Sequence, residues 1–119
     1  MPTVADVVTP DPVTVDATTT VREAAVLMRD EGIGDVLVTD RGQLVGIVTD
    51  RDLVVRVLAA GGASGDPVGQ VCSGSLVTLA PGDDVAQAAR VMAEHGVRRL
   101  PVVDEGGIVG IVSSTDLER

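Results

Sequence analysis

The heptapeptide Gly46-Ile47-Val48-Thr49-Asp50-Arg51-Asp52 returns 64 residues later as Gly110-Ile111-Val112-Ser113-Ser114-Thr115-Asp116. In both copies an apolar run ends in a hydroxyl residue with Asp three places on. That is the signature of a strand turning into a capped helix. Working outward at the same offset, residues 13–53 lie over 77–117 without a gap, with 16 identities in 41 positions. Two copies are too few for a solenoid, so a pseudo-symmetric pair sharing one core is expected.

Each copy repeats one order of elements. A short alternation (Val13-Thr14-Val15; Val77-Thr78-Leu79) precedes a helix, with Thr20 and Glu23, or Asp84 and Gln87, at capping-box spacing. The buried face is Val21, Ala24, Ala25, Met28 in one copy and Val85, Ala88, Ala89, Met92 in the other, the i, i+3, i+4, i+7 pattern. Gly32 and Gly96 are placed to end these helices as left-handed caps. Two strands follow, Asp35–Thr39 with Leu44–Val48 and Arg99–Val103 with Ile108–Val112, each pair joined by Asp- and Gly-containing turns. A second helix opens near Thr49 and runs through Leu53, Val54, Val57 and Leu58; its counterpart near Ser113 is cut short at Arg119. These boundaries predict a first repeat with its lead segment over 1–60, a connector over 61–70 and a second repeat over 71–119. The amphipathic opening Val4–Val8 is expected to cap the pair.

Composition narrows the function. The chain has 119 residues, one ordinary domain's worth and short for two independent cores. It is 45% hydrophobic and 23% charged, a globular balance. A net charge of −9 opposes double-stranded nucleic acid and anionic membranes as partners. No apolar run is long enough to span a bilayer and no leader pattern opens the chain, so a cytoplasmic protein is expected. One Cys (Cys72) and one His (His95) exclude an internal disulfide and a Cys/His zinc site. All nine basic residues are Arg, so there is no P-loop or Schiff-base lysine, and no nucleophile–base set can be assembled. No metal, required cofactor or catalytic residue is therefore expected. With no Phe, Tyr or Trp, any bound ring must be held by aliphatic side chains.

The repeated heptapeptide, together with Arg98-Arg99-Leu100-Pro101-Val102-Val103-Asp104, resembles the diagnostic pieces of a tandem pair of CBS domains, the Bateman module. The likeness covers almost the whole chain. Thr49–Val54 with Leu58–Gly61 is similar to short stand-alone CBS pairs of the bacterial hypoxic-response type. The resemblance implies an α+β fold of two pseudo-symmetric β-α-β-β-α repeats, packed through their sheets into one globular module.

It also implies a non-catalytic sensor that binds an adenosine ligand in clefts built across the repeats. AMP or ATP is the leading candidate and S-adenosylmethionine a further one. Site one draws on Ile47, Thr49 and Asp52 with Leu76, Val77, Thr78, Val97, Arg98, Arg99 and Pro101. Site two, the weaker, draws on Ile111, Ser113 and Asp116 with Pro12, Val13, Thr14, Ile33, Gly34, Asp35 and Leu37. Gly34, Asp35 and Leu37 stand where Arg98, Arg99 and Pro101 stand, so site two trades two positive charges for a negative one and suits a phosphate poorly. The resemblance further implies a homodimer and an unidentified regulated protein as partners.

Two readings of the hydroxyl-x-x-Asp pattern stay open on the residues alone. It serves only to cap a helix, in a ligand-free module for dimerisation or docking, or it also holds a ligand's phosphate and ribose.

Overall fold

The computed structural model describes residues 2–72, 77–105 and 107–118 of the chain. In chain order the elements are α1 (Val4–Val7), β1 (Thr9–Pro10), β2 (Thr14–Asp16), α2 (Val21–Glu31), β3 (Asp35–Asp40) and β4 (Gln43–Thr49). Next come a single turn α3 (Asp50–Asp52), a π-helical segment (Leu53–Leu58) and a 3-10 turn (Val68–Gln70). The second half carries α4 (Val85–His95), β5 (Arg99–Asp104), β6 (Gly107–Ser113) and α5 (Ser114–Leu117). Contacts divide the chain into two compact units, Val13–Leu76 and Met1–Pro12 with Val77–Arg119.

The first unit has a sheet of order β2-β3-β4, with β2 parallel and β4 antiparallel to the central strand. Val36, Leu37 and Val38 are buried in succession, as expected of a strand covered on both faces. The β3–β4 hairpin turns through Arg41 and Gly42, at φ 52° and 78°. Positive φ at both central residues is the turn whose twist matches paired strands, and Gly42 takes it without steric cost. α2 lays Ala24 and Met28 against Val36, Val38 and Val48. The Thr20–Glu23 box closes in both directions: the Glu23 amide donates to Thr20 Oγ1 at 3.1 Å and the Thr20 amide to Glu23 Oε1 at 3.1 Å.

The second unit has the order β1-β6-β5. Leu79, Ala88, Met92, Leu100, Val102 and Val112 form its core together with Val4. The strand expected at Val77–Leu79 shrinks to one bridge, Leu79 to Val102. Pro101 is the reason. In the first unit the Leu37 amide donates to the Val13 carbonyl at 3.0 Å, whereas proline at the equivalent position has no N–H to give. The box expected from Asp84 and Gln87 also fails, since the Asp84 side chain caps nothing. The Val85 amide donates to the Pro2 carbonyl at 3.3 Å, as the Val21 amide does to that of Asp66.

That last bond belongs to a larger exchange. Chain length argues for one shared core, yet the buried apolar residues form two clusters, one in each unit. The lead segment before the first repeat packs into the second unit, where Val4 is fully buried. The segment 61–70 folds back on the first unit in the same way. Val68 is fully buried, and the Val21 and Arg22 amides of α2 donate to the Asp66 and Ser64 carbonyls, both at 2.9 Å. At the 64-residue offset, Val4 lies over Val68 and Thr3 over Pro67; Thr3 bridges to Asp84 as Pro67 bridges to Thr20. β1 then runs antiparallel to β6. A Cβ at Gly110 would overlap the Thr9 carbonyl oxygen, so only glycine lets β1 approach.

After Thr49 the chain makes one α turn and then widens. The Ala59 amide donates to the Val54 carbonyl and the Gly62 amide to Val57, both at 2.8 Å and both five residues back. The expected helix over these residues is thus π-helical from Leu53. Three valines in six positions make this a weak α-former.

Val68→Ala should cost about 1.5–3 kcal/mol, as for any truncated core aliphatic, whereas an unpacked connector would lose almost nothing; urea unfolding distinguishes the two. Thr20→Ala should cost about 1 kcal/mol while Asp84→Ala costs far less. Hydrogen bonds from the Thr20 backbone and hydroxyl hold the Glu23 carboxyl below its ordinary value. Its contribution is therefore complete above the unfolded value of 4.5 and lost as pH falls through the lower folded value. Glu23→Gln should flatten that acid limb in unfolding measured against pH.

Candidate ligand site at two strand-to-helix turns

Both strand-to-helix turns are built by the same bonds. The Asp52 amide donates to Thr49 Oγ1 at 3.1 Å, and the Thr49 amide returns to Asp52 Oδ2 at 2.9 Å. In the second unit, the Asp116 amide donates to Ser113 Oγ at 3.2 Å and the Ser113 amide to Asp116 Oδ2 at 2.9 Å. Both are capping boxes. They differ from the Thr20 box in what they leave over.

Thr20 donates its own hydroxyl proton to Glu23 Oε1 at 2.9 Å. Neither the Thr49 nor the Ser113 hydroxyl donates to any described group. Each aspartate, like Glu23, spends only one carboxylate oxygen on the cap. Oδ1 of Asp52 has Arg56 Nε at 3.7 Å, too long for a hydrogen bond. A hydroxyl donor and a carboxylate acceptor are thus left over within one helical turn, twice. The two aspartates are partly buried rather than immersed in solvent.

The amides after Thr49 are not left over. That of Asp50 donates to the Gly34 carbonyl at 2.9 Å, and that of Arg51 to its neighbour Asp50 Oδ1 at 2.8 Å. The Ser114 amide likewise donates to the Arg98 carbonyl at 2.8 Å. At the first turn, therefore, the hydroxyl of Thr49 is the available donor, not the amides of Asp50 and Arg51.

Within the first unit the sheet brings together Ile47 opposite Leu37, Thr49 opposite Asp35 and Thr14 opposite Leu37. Ile33 and Val13 pack on the same cluster and Gly34 meets Asp50. In the second unit, Arg99 faces Ser113 and the fully buried Pro101 faces Ile111. Val97 and Arg98 are exposed on a groove of about 500 Å3 beside the end of α4, which Ser114 and Leu117 also line. Val77 packs at the edge of the core and Thr78 is exposed. Leu76 lies outside the described residues. Each unit therefore carries one part of each expected site.

Two residues that sequence reasoning passed over matter locally. A Cβ on Gly34 would come within 3.2 Å of the Asp50 carboxylate, so the size of residue 50 limits residue 34. In the second repeat Ser114 replaces that aspartate, and Arg98 is accommodated. Arg56 stands beside Asp52, and its i+4 spacing is the signal that was available. His95 is the exposed last residue of α4. Among the described residues no group of three His, Cys, Asp or Glu side chains could hold a metal ion, and no helix is long and apolar enough to cross a membrane.

Comparison with known proteins places this geometry. The CBS domain family model matches residues 4–59 and 68–119. A CBS domain-containing protein of Bacillus subtilis, YhcV, is 40% identical over 117 residues, 98% of this chain and 84% of the relative. The crystal structure of hypoxic response protein I with two coordinated zinc ions superposes with a TM-score of 0.92 at 33% identity, over 100% of this chain and 98% of that one. CBSX2 in complex with AMP gives 0.85 at 31% identity, over 98% and 93%. The CBS pair of MJ0100, in complex with 5-methylthioadenosine and S-adenosylmethionine, gives 0.88 at 28% identity, over 99% and 94%. The two family matches and the repeated strand-to-helix turns lead to one assignment: the chain belongs to the CBS domain family, as a tandem pair.

Proposed function

We propose that the chain is a non-catalytic regulatory module that binds an adenine nucleotide, AMP or ATP, through Thr49 and Asp52. CBS pairs are in general regulatory, and relatives of this fold have been solved with AMP and with S-adenosylmethionine. The observation that carries the reading is the unspent pair in the capping box: the Thr49 hydroxyl proton and Asp52 Oδ1. A cap needs neither. A ribose diol donates to a carboxylate, and a phosphate accepts from a hydroxyl, so an adenosine phosphate uses both.

The remaining contacts are those that the resemblance to CBS pairs implies. With no aromatic residue in the chain, adenine rests on the aliphatic Ile47, Val77 and Val97, beside Leu76, Thr78 and Pro101. Arg98 and Arg99 supply the charge that offsets the phosphate in a chain of net charge −9. Ser113 and Asp116, with Ile111, Val13, Thr14, Ile33 and Gly34, form a weaker second site, because Gly34 and Asp35 replace the two arginines. An adenosine compound without a phosphate, such as S-adenosylmethionine, suits it better. The protein works in the cytoplasm, and a regulated partner reads its state.

Equilibrium dialysis against AMP, ATP and S-adenosylmethionine tests this, with adenine absorbance nearly free of protein background. Asp52→Ala should weaken AMP or ATP binding 10- to 100-fold, about 1.5–3 kcal/mol, and Asp116→Ala should leave it unchanged. Unaltered affinity in Asp52→Ala sinks the ribose role. No uptake of any of the three leaves the second reading, a ligand-free module for self-association or docking.

One observation favours self-association. Val54, Val55 and Leu58 on the π-helical segment are 55%, 50% and 77% exposed, an apolar group that water does not favour. We therefore propose a homodimer through this face. Sedimentation should give twice the monomer mass for the native chain and the monomer mass for Leu58→Asp. A monomeric native chain at micromolar concentration overturns it.

A further inference from the structure

We propose that Arg56 is a positioning residue that relays the state of the Asp52 carboxylate to the connector at Val71 and Cys72. Its guanidinium has two neighbours on different elements. Nε lies 3.7 Å from Asp52 Oδ1, and Nη1 donates to the Val71 carbonyl at 3.4 Å. Asp52 belongs to the turn after β4. Val71 belongs to the segment that follows the 3-10 turn and leads, in sequence, to Val77. Arg56 links the two.

The pair adds little to stability, because the arginine side chain is 49% exposed and the separation is long. Its value is geometric. A guanidinium is a rigid fork whose nitrogens can address two acceptors at once, which a lysine ammonium on a flexible stem does not do in the same way. The far end of the link is ordered. The Val71 and Cys72 amides donate to the Val68 carbonyl at 3.1 and 3.0 Å, and the Cys72 sulfur to the Gly69 carbonyl at 3.6 Å. Both residues pack on the first unit's core together with Leu53. The Cys72 thiol senses the same group of charges. Burial pushes it up, the Asp52 charge adds to that rise and Arg56 opposes it.

When ribose hydroxyls donate into Asp52, they share the charge that holds Nε, and Arg56 keeps one anchor of its two. The Val71–Cys72 turn then opens more readily. By reciprocity, whatever loosens that turn changes affinity at Asp52 by the same factor. The last step rests on the nucleotide reading; the link from Asp52 through Arg56 to Val71 does not.

Amide hydrogen exchange, followed residue by residue by NMR, reads the turn directly. Without ligand, Arg56→Gln and Asp52→Asn should each speed exchange at Val71 and Cys72 two- to fivefold, leaving Val38 in the core unchanged. Asparagine still accepts the Thr49 amide, so the cap survives. The double variant should be no faster than the faster single one, because both cut the same link. Arg56→Lys, which keeps the charge but not the fork, should behave like Arg56→Gln. Multiplying effects in the double variant, or native exchange in Arg56→Lys, overturns the relay. With AMP at a concentration that dialysis shows to be saturating, exchange at the two amides should rise at least twofold in the native chain and not in Arg56→Gln. AMP bound without that rise overturns the relay while the nucleotide reading stands. No AMP uptake, with the unliganded variants behaving as described, overturns the nucleotide reading and sustains the link.

Discussion

Everything else in this fold depends on the burial of two valines outside the repeats they precede. Val4 is enclosed by the core that follows Val77, and Val68 by the core that ends at Val48. Burying such a side chain is worth about 1.5–3 kcal/mol, a large fraction of the stability of a small unit. The lead segments also supply what each main helix lacks at its start: carbonyls of Ser64 and Asp66 for α2, and of Pro2 for α4. Each sheet needs three strands for a covered face. The second unit obtains its third from Thr9 and Pro10, since Pro101 denies it a proper strand at Val77–Leu79. The exchange therefore completes a core, a helix start and a sheet together.

On that frame, one local motif does two kinds of work. At Thr20 the capping box uses the cap amide and the cap hydroxyl proton, both of which donate to Glu23 Oε1. At residues 52 and 116 the carboxylate still reaches back to the cap amide, while the cap hydroxyl makes no hydrogen bond to a described group. Acid length is not the reason, since Asp6 accepts from the Thr3 hydroxyl at 3.4 Å as Glu23 accepts from that of Thr20. The local geometry of the strand-to-helix turn makes the difference.

The repeat, four strands, the two long helices and their glycine caps were legible because each rests on local chemistry. Period-2 and period-3.6 patterns, Asp and Gly turns, and Gly32 and Gly96 at φ 66° and 64° are properties of a few adjacent residues. The exchange of lead segments was not read, although Val4 over Val68 and Val7 over Val71 at the same offset carried its trace. Two valines in a segment without identities on either side say that a residue is buried, but not in which core. The Asp84 box failed although the first amide of α4 is met by a distant carbonyl just as that of α2 is, so spacing alone did not decide it. The motif at Thr49 and Asp52 was readable in residue type. Its unspent atoms were not, since hydrogen-bond counts need coordinates.

The inequality of the two turns also has a steric root beneath its electrostatic one. Gly34 and Arg98 make the same backbone bond, each carbonyl accepting from the amide at the second helix's first residue. What differs is that residue: Asp50 in one repeat, Ser114 in the other. With Asp50 Oδ2 3.2 Å from where a Cβ on Gly34 would sit, a side chain there needs the exposed carboxylate to give by a few tenths of an ångström. Serine at 114 makes no such demand. The first repeat thus sets Gly34 beside Asp50, and the second sets Arg98 beside Ser114. One backbone hydrogen bond, made twice, thus keeps different company in the two halves of a nearly symmetric chain.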